Sequence, residues 1–145
     1  MSLYDVVKLV HVTSMAGWLG AALWVPGDVR RTLARGKVDA GALAERVGPA
    51  LRLEVGAGIL TVLTGLGLFA WIGRPRLGLM LGGALGIALL ALGAFAVLPA
   101  WKRIATRLAA GDEAGATPIA RRLEAFAGVG HVLWLLALAL MVLPV

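Results

Sequence analysis

The chain has two histidines, and both stand in apolar runs: His11 in LVHVTSMAGWLGAALWVPGD and His131 in AFAGVGHVLWLLALALMVLPV. An imidazole is costlier to bury than the alkyl groups around it. Its neutral form is the cheaper one there, and it is also the form that ligates iron, copper or zinc. A structural alternative is a neutral ring hydrogen-bonded to a neighbouring carbonyl, or to Thr61 or Thr64. There is no cysteine, so thiolate ligation, disulfides and dithiol redox chemistry are excluded. The remaining soft ligands in the apolar runs are the thioethers of Met15, Met80 and Met141, with Met15 one helical turn from His11.

A closed zinc or copper site wants three or four ligands. Haem iron takes one or two axial nitrogens, and its macrocycle suits apolar and small residues. The constellation therefore points to haem b with His11 and His131 as candidate iron ligands, and to copper(I) held by histidine and methionine as the alternative. Lys8, His11, Ser14 or Met15, and Trp18 share one helical face at spacings of three and four. Lys8, Arg74 and Arg76 are the cations available to haem propionates. Trp134, three residues after His131, shares its face and either lines a cofactor or fills the core. Thr61 and Gly65 complete the candidate lining. No serine nucleophile with its base, paired carboxylates or phosphate-binding glycine loop is present.

The elements that position these residues are membrane helices. Hydrophobic residues make up 60% of the chain and charged residues 15%, with mean hydropathy +0.90. A water-soluble domain of this size would lack the polar surface to cover itself. Four runs, 9–27, 55–72, 77–101 and 125–145, approach or exceed the ~20 helical residues that cross a hydrocarbon core. Continuous apolar runs in lipid satisfy their backbone polar groups as helices. The expectation is an all-α, single-domain, four-transmembrane-helix bundle with helices at about 3–35, 42–72, 77–110 and 118–143.

Charge orients the bundle. Eleven of the fourteen basic residues, Lys37 among them, flank the first and third connections, and three lie on the other side. Basic loops stay in the cytoplasm, which places both termini outside and the protein in the cell (inner) membrane. The first residues, MSLYDVVK, have neither the basic region nor the cleavage site of a removable signal peptide. The formal charge of +6 follows this asymmetry and reads as topology and anionic-lipid contact, not as a nucleic-acid surface.

Local signals shape the connections. Gly36 closes the first helix and Asp39 opens the second; Gly111 and then Thr117-Pro118 repeat the plan, so each long hairpin extends past the bilayer as a stalk in the cytoplasm. Gly73-Arg74-Pro75-Arg76 is a tight turn. Arg52-Leu53-Glu54 and Arg122-Leu123-Glu124, with Pro26 and Pro99, suggest two parallel repeated hairpins, in which Thr61 takes the place of His131. Gly82 and Gly86, Gly58 and Gly65, and Gly128 and Gly130 permit close helix packing, within the chain or in a homodimer, or open a slot for a flat cofactor. Asp28 and Glu54 are expected to pair with Arg30, Arg31 or Arg52 at the membrane boundary. Tyr4, Trp71 and Trp101 are expected as interfacial anchors.

His11, Trp18 seven residues on, Trp24, Pro26 and the ILTVLTG run from Ile59 to Gly65 resemble the HemJ-type membrane protoporphyrinogen oxidases. The resemblance covers about half the chain. It implies a four-helix protein that binds haem b through the helix-one histidine, here His11, and acts on a porphyrin substrate or redox partner. That family's helix-three lysine, the arginine after its helix-one proline and its asparagine-glutamate-proline entry to helix four have no match here. The layout is also similar to CopD-like proteins of copper uptake or resistance. A structural membrane protein without cofactor completes the set. His11 and His131 lie roughly 12 Å and 20 Å from the outer helix ends at 1.5 Å per residue, an offset of about 8 Å that tilt would have to absorb.

Overall fold

The computed structural model describes residues 1–36 and 38–143; Lys37, Pro144 and Val145 lie outside the described residues. The described residues form four long helices and no strand: α1 (Leu3–Arg35), α2 (Ala40–Ile72), α3 (Leu77–Ala109) and α4 (Glu113–Val142). Each is long and apolar enough to cross a membrane. They pack as a ring in which α1 touches α2 and α4, and α3 touches α4 and α2.

The ends follow from capping chemistry. Ser2 and Asp5 form a reciprocal capping box on α1, and the Asp39 carboxylate accepts the Ala42 N–H at 2.9 Å to open α2. Gly36, Gly73 and Gly111 reverse the chain at positive φ, which other residues adopt only under strain. The fourth helix begins earlier than Thr117-Pro118. Asp112 accepts the Gly115 N–H at 2.8 Å and starts α4 at Glu113, leaving Pro118 inside the helix. The first and third connections meet where the Glu113 carboxylate accepts the Val38 N–H at 2.8 Å.

Packing divides the bundle lengthwise. At the end carrying the first and third connections, Val25, Val29, Leu43, Val47, Ile104 and Leu123 are almost wholly buried in one core. Their spacings of three and four make amphipathic helices, with arginines on the outer faces. Beyond it the outward surfaces are apolar: Leu63, Leu66, Ile87, Val132 and Leu135 are exposed, as suits contact with lipid. Trp101 is not an interfacial anchor but part of the stalk core. Tyr4 and Trp71 meet edge to face, with ring centroids 6.1 Å apart, at the opposite end.

Two prolines disturb the span. Pro26 lies inside α1, and Pro99 follows a π-helical turn at Gly93–Val97, where the Leu98 N–H bonds to the Gly93 carbonyl. Proline removes a donor and crowds the preceding turn, so both mark departures from a regular backbone ladder.

Candidate functional site

His11 faces α2. Its Nδ1 lies 3.0 Å from the Thr61 carbonyl oxygen and 3.1 Å from Thr64 Oγ1. A carbonyl can only accept, and the Thr64 hydroxyl directs its own proton to a backbone carbonyl of α2, with Leu60 O at 2.6 Å. The proton of the neutral ring is therefore on Nδ1, and Nε2 carries the lone pair. A Cβ at position 65 would come 3.2 Å from His11 Cε1, so Gly65 makes room for the ring. The polar cluster continues through Thr61 Oγ1, 2.9 Å from Ser14 Oγ, whose hydroxyl donates to the His11 carbonyl at 3.0 Å. Among the described residues no fully enclosed side-chain polar atom is left without a partner.

His131 does a different job. Proline at position 26 has no N–H to give the carbonyl four residues back, which leaves the Ala22 oxygen without its helical donor. His131 Nε2 lies 3.2 Å from that oxygen and must donate to it, so in the neutral ring Nδ1 is the free acceptor. The imidazole mends the defect that Pro26 makes in α1.

The structure does not bring the histidines together. The carbonyl that His131 bonds is eleven residues beyond His11 on α1, about 16 Å along the helix. Two nitrogens on one metal lie within about 4 Å of each other at bond lengths near 2 Å. His131 is thus not a second ligand to an iron held by His11, and the depth offset is larger than the sequence suggests. Among the described residues no group of three or more histidine, aspartate or glutamate side chains could hold a metal ion.

The small residues mostly admit side chains. A Cβ at Gly58 would come 3.0 Å from the Trp18 indole, one at Gly82 would meet Met141, and one at Gly83 would meet Phe69. Trp18 is buried against Ala57 and Leu89, with Trp134 packed on that cluster. Both tryptophans border a cavity of about 40 Å3. Small-molecule sites run to roughly 300 Å3 or more, so the space between these tryptophans is too small for a macrocycle unless the helices move apart. Lys8 stands apart from them, exposed one turn from His11. Arg76 is engaged, its guanidinium donating to the Met141 carbonyl at 2.6 Å, whereas Arg74 is exposed.

One residue of the cavity was misplaced by sequence reasoning. Glu54 is buried, and among the described residues no arginine pairs with it; Arg30 pairs instead with Glu124 at 3.3 Å, and Asp28 pairs with Arg46 at 3.2 Å. The signal was its face, since Glu54, Ala57, Gly58 and Thr61 follow one another at inward spacings, whereas Arg52 and Leu53 point elsewhere.

The donor set at His11 fits an axial ligand: a histidine with its second ring nitrogen fixed on a backbone carbonyl presents the other as a lone pair. The set at His131 fits a structural clamp beside a small, largely apolar cavity that Glu54 also lines. No family model, curated protein or solved structure matches the chain.

Proposed function

We propose that this is an integral membrane redox protein that binds haem b through His11, in the manner of the HemJ-type oxidases, with both termini outside the cytoplasm. The observation that carries the reading is the bond from His11 Nδ1–H to the Thr61 carbonyl, which leaves Nε2 as a ligand. Metal-bound histidines characteristically hold their other N–H on a carbonyl or carboxylate, which fixes the ring and strengthens the ligand. Haem, when bound, supplies one-electron chemistry at its iron. The chain's own part is to orient the imidazole through Thr61 and Thr64, to clear its ring at Gly65, and to offer Lys8 and Arg74 to carboxylates at the outer end.

A second reading rests on Met15, half-buried one turn from His11 on the same helix face. Histidine with thioether suits copper(I). Iron, copper and haem content per chain, measured after purification in mild detergent from cells supplied with haem and copper, separates the two. Haem with iron in the wild type and none in His11→Ala supports the proposal. Copper without haem refutes it, and so does haem that persists at full occupancy in His11→Ala.

A further inference from the structure

The cavity at the centre of the bundle is lined from every helix: Trp18, Ala22 and Pro26 of α1, Glu54 of α2, Gly93 of α3, and His131 with Trp134 of α4. Glu54 is only 8% exposed, and among the described residues it belongs to none of the three ion pairs. Its carboxyl faces the backbone of α3 at the start of the π-helical turn, where a Cβ on Gly93 would lie 4.0 Å from Oε1. A glycine at that position leaves the carboxyl uncovered. The other residues lining the cavity are apolar apart from His131 and the indole N–H groups of Trp18 and Trp134. That histidine, also in the lining, commits Nε2–H to the Ala22 carbonyl, which leaves Nδ1 as the unprotonated nitrogen of the neutral ring. A cavity of about 40 Å3 exceeds the ~10–15 Å3 that holds one water, and a carboxyl with an imidazole nitrogen supplies the polar partners such a water needs.

We propose that Glu54 and His131 form an intramembrane proton-exchange site, in which a proton passes between the Glu54 carboxyl and His131 Nδ1 through water held in this cavity. The transfer moves one proton and no electrons. Glu54 gives its O–H proton to water as water gives one to Nδ1, leaving a carboxylate and an imidazolium; the reverse restores a neutral acid and a neutral imidazole. The Nε2–H bond to Ala22 persists in both states, so the clamp on α1 is not broken when the site turns over. A neutral pair is the cheaper state in a poorly solvated cavity, and the charged pair forms as two opposite charges side by side. The charged groups closest in sequence do not enter the lining: Arg52 is exposed on another face of α2, and α1 and α3 contribute no ionisable side chain. Carboxylate and histidine chains inside bundles are the usual carriers of protons across lipid. The site does not depend on the His11 reading and is tested without reference to haem.

The test is labelling of the full-length protein in lipid vesicles with dicyclohexylcarbodiimide, which adds to protonated carboxyls in apolar surroundings, followed by peptide mass mapping across a pH series. The wild type is expected to carry an adduct on Glu54 that fades as pH rises, and Glu54→Gln to lack it. In His131→Gln the amide N–H can still serve the Ala22 carbonyl, but the titrating base is gone. Without that base the carboxyl loses the group its titration is coupled to, and the midpoint of labelling along the pH series is expected to shift. An infrared pH titration of the wild type, following the carbonyl stretch of a protonated acid, gives a reading that needs no variant to fold. Absence of a Glu54 adduct and of that band at every pH overturns the proposal. The same midpoint in a folded His131→Gln protein overturns the exchange, and protection of Glu54 by sodium ions at constant pH makes the occupant a metal cation.

Discussion

Removing His131 should destabilise the bundle chiefly because of what Pro26 has done to α1. In His131→Ala the Ala22 carbonyl loses the donor 3.2 Å away, in a helix whose own N–H is missing at position 26. An unsatisfied buried carbonyl costs about 1–3 kcal/mol, but hydrogen bonds measured within membrane bundles average nearer ~0.6 and reach ~1.7 kcal/mol, because the unfolded chain in lipid also finds partners. The single variant also loses the packing of the ring, so its total cost does not isolate the bond. Pro26→Ala restores a donor to Ala22 within the helix and makes His131 redundant for that purpose. The cost of His131→Ala should therefore be smaller in the Pro26→Ala background by about 0.6–1.7 kcal/mol, a 3- to 18-fold difference in the folded ratio. Unfolding by sodium dodecyl sulfate in mixed micelles, followed by circular dichroism, measures all four proteins. Equal costs in the two backgrounds to within about 0.3 kcal/mol, the ordinary scatter of additive pairs, would refute the assignment of His131 as the partner of a proline-orphaned carbonyl.

Other consequences can be read in the same assays. Gly82→Ala places a Cβ 2.6 Å from Met141 Cγ and 3.0 Å from the Ala137 carbonyl, so α3 and α4 must part, at a cost of about 1–3 kcal/mol. Gly86→Ala, with nothing within 4 Å, should be neutral or mildly stabilising, and equal melting shifts for the two would contradict the packing described. Gly65→Ala drives a methyl to 3.2 Å from the His11 ring and should lower haem content by displacing the imidazole, whereas Gly67→Ala should not. The Gly115 N–H and the Arg107 guanidinium hold the Asp112 carboxyl below the usual carboxylate range. Its contribution is thus complete above that range and is lost as pH falls through the lowered value. Asp112→Asn should lower the neutral side of a melting-versus-pH profile and leave the acid side little changed, so that the difference from the wild type vanishes as pH falls.

The caps and spans were legible because their signals are local: Ser2 with Asp5, Asp39, and the glycines at 36 and 73 act on residues within one turn. The start of α4 was missed because Thr117-Pro118 imitates a first turn, while Asp112 takes the capping role five residues earlier. The partners of His11 were legible as well, since Thr61 and Thr64 face it across an antiparallel hairpin joined by a short connection. The partner of His131 was not, because it depends on the register of α1 against α4, which no local pattern states. Glu54 was hidden by its neighbour Arg52, which invites an ion pair along the chain, whereas the helix turns the two side chains to different faces. Trp101 was misread for a related reason: its place at the edge of a span resembled an anchor until the stalk core closed over it.

The central claim is that His11, and not His131, carries the axial nitrogen of a bound haem. Dithionite-reduced minus oxidised absorption spectra of the wild type, His11→Ala and His131→Gln, purified alike from haem-replete cells, test it most directly. The account predicts sharp reduced haem bands in the wild type and in His131→Gln, and their loss in His11→Ala. Bands lost in a folded His131→Gln protein, or retained in His11→Ala, would contradict it.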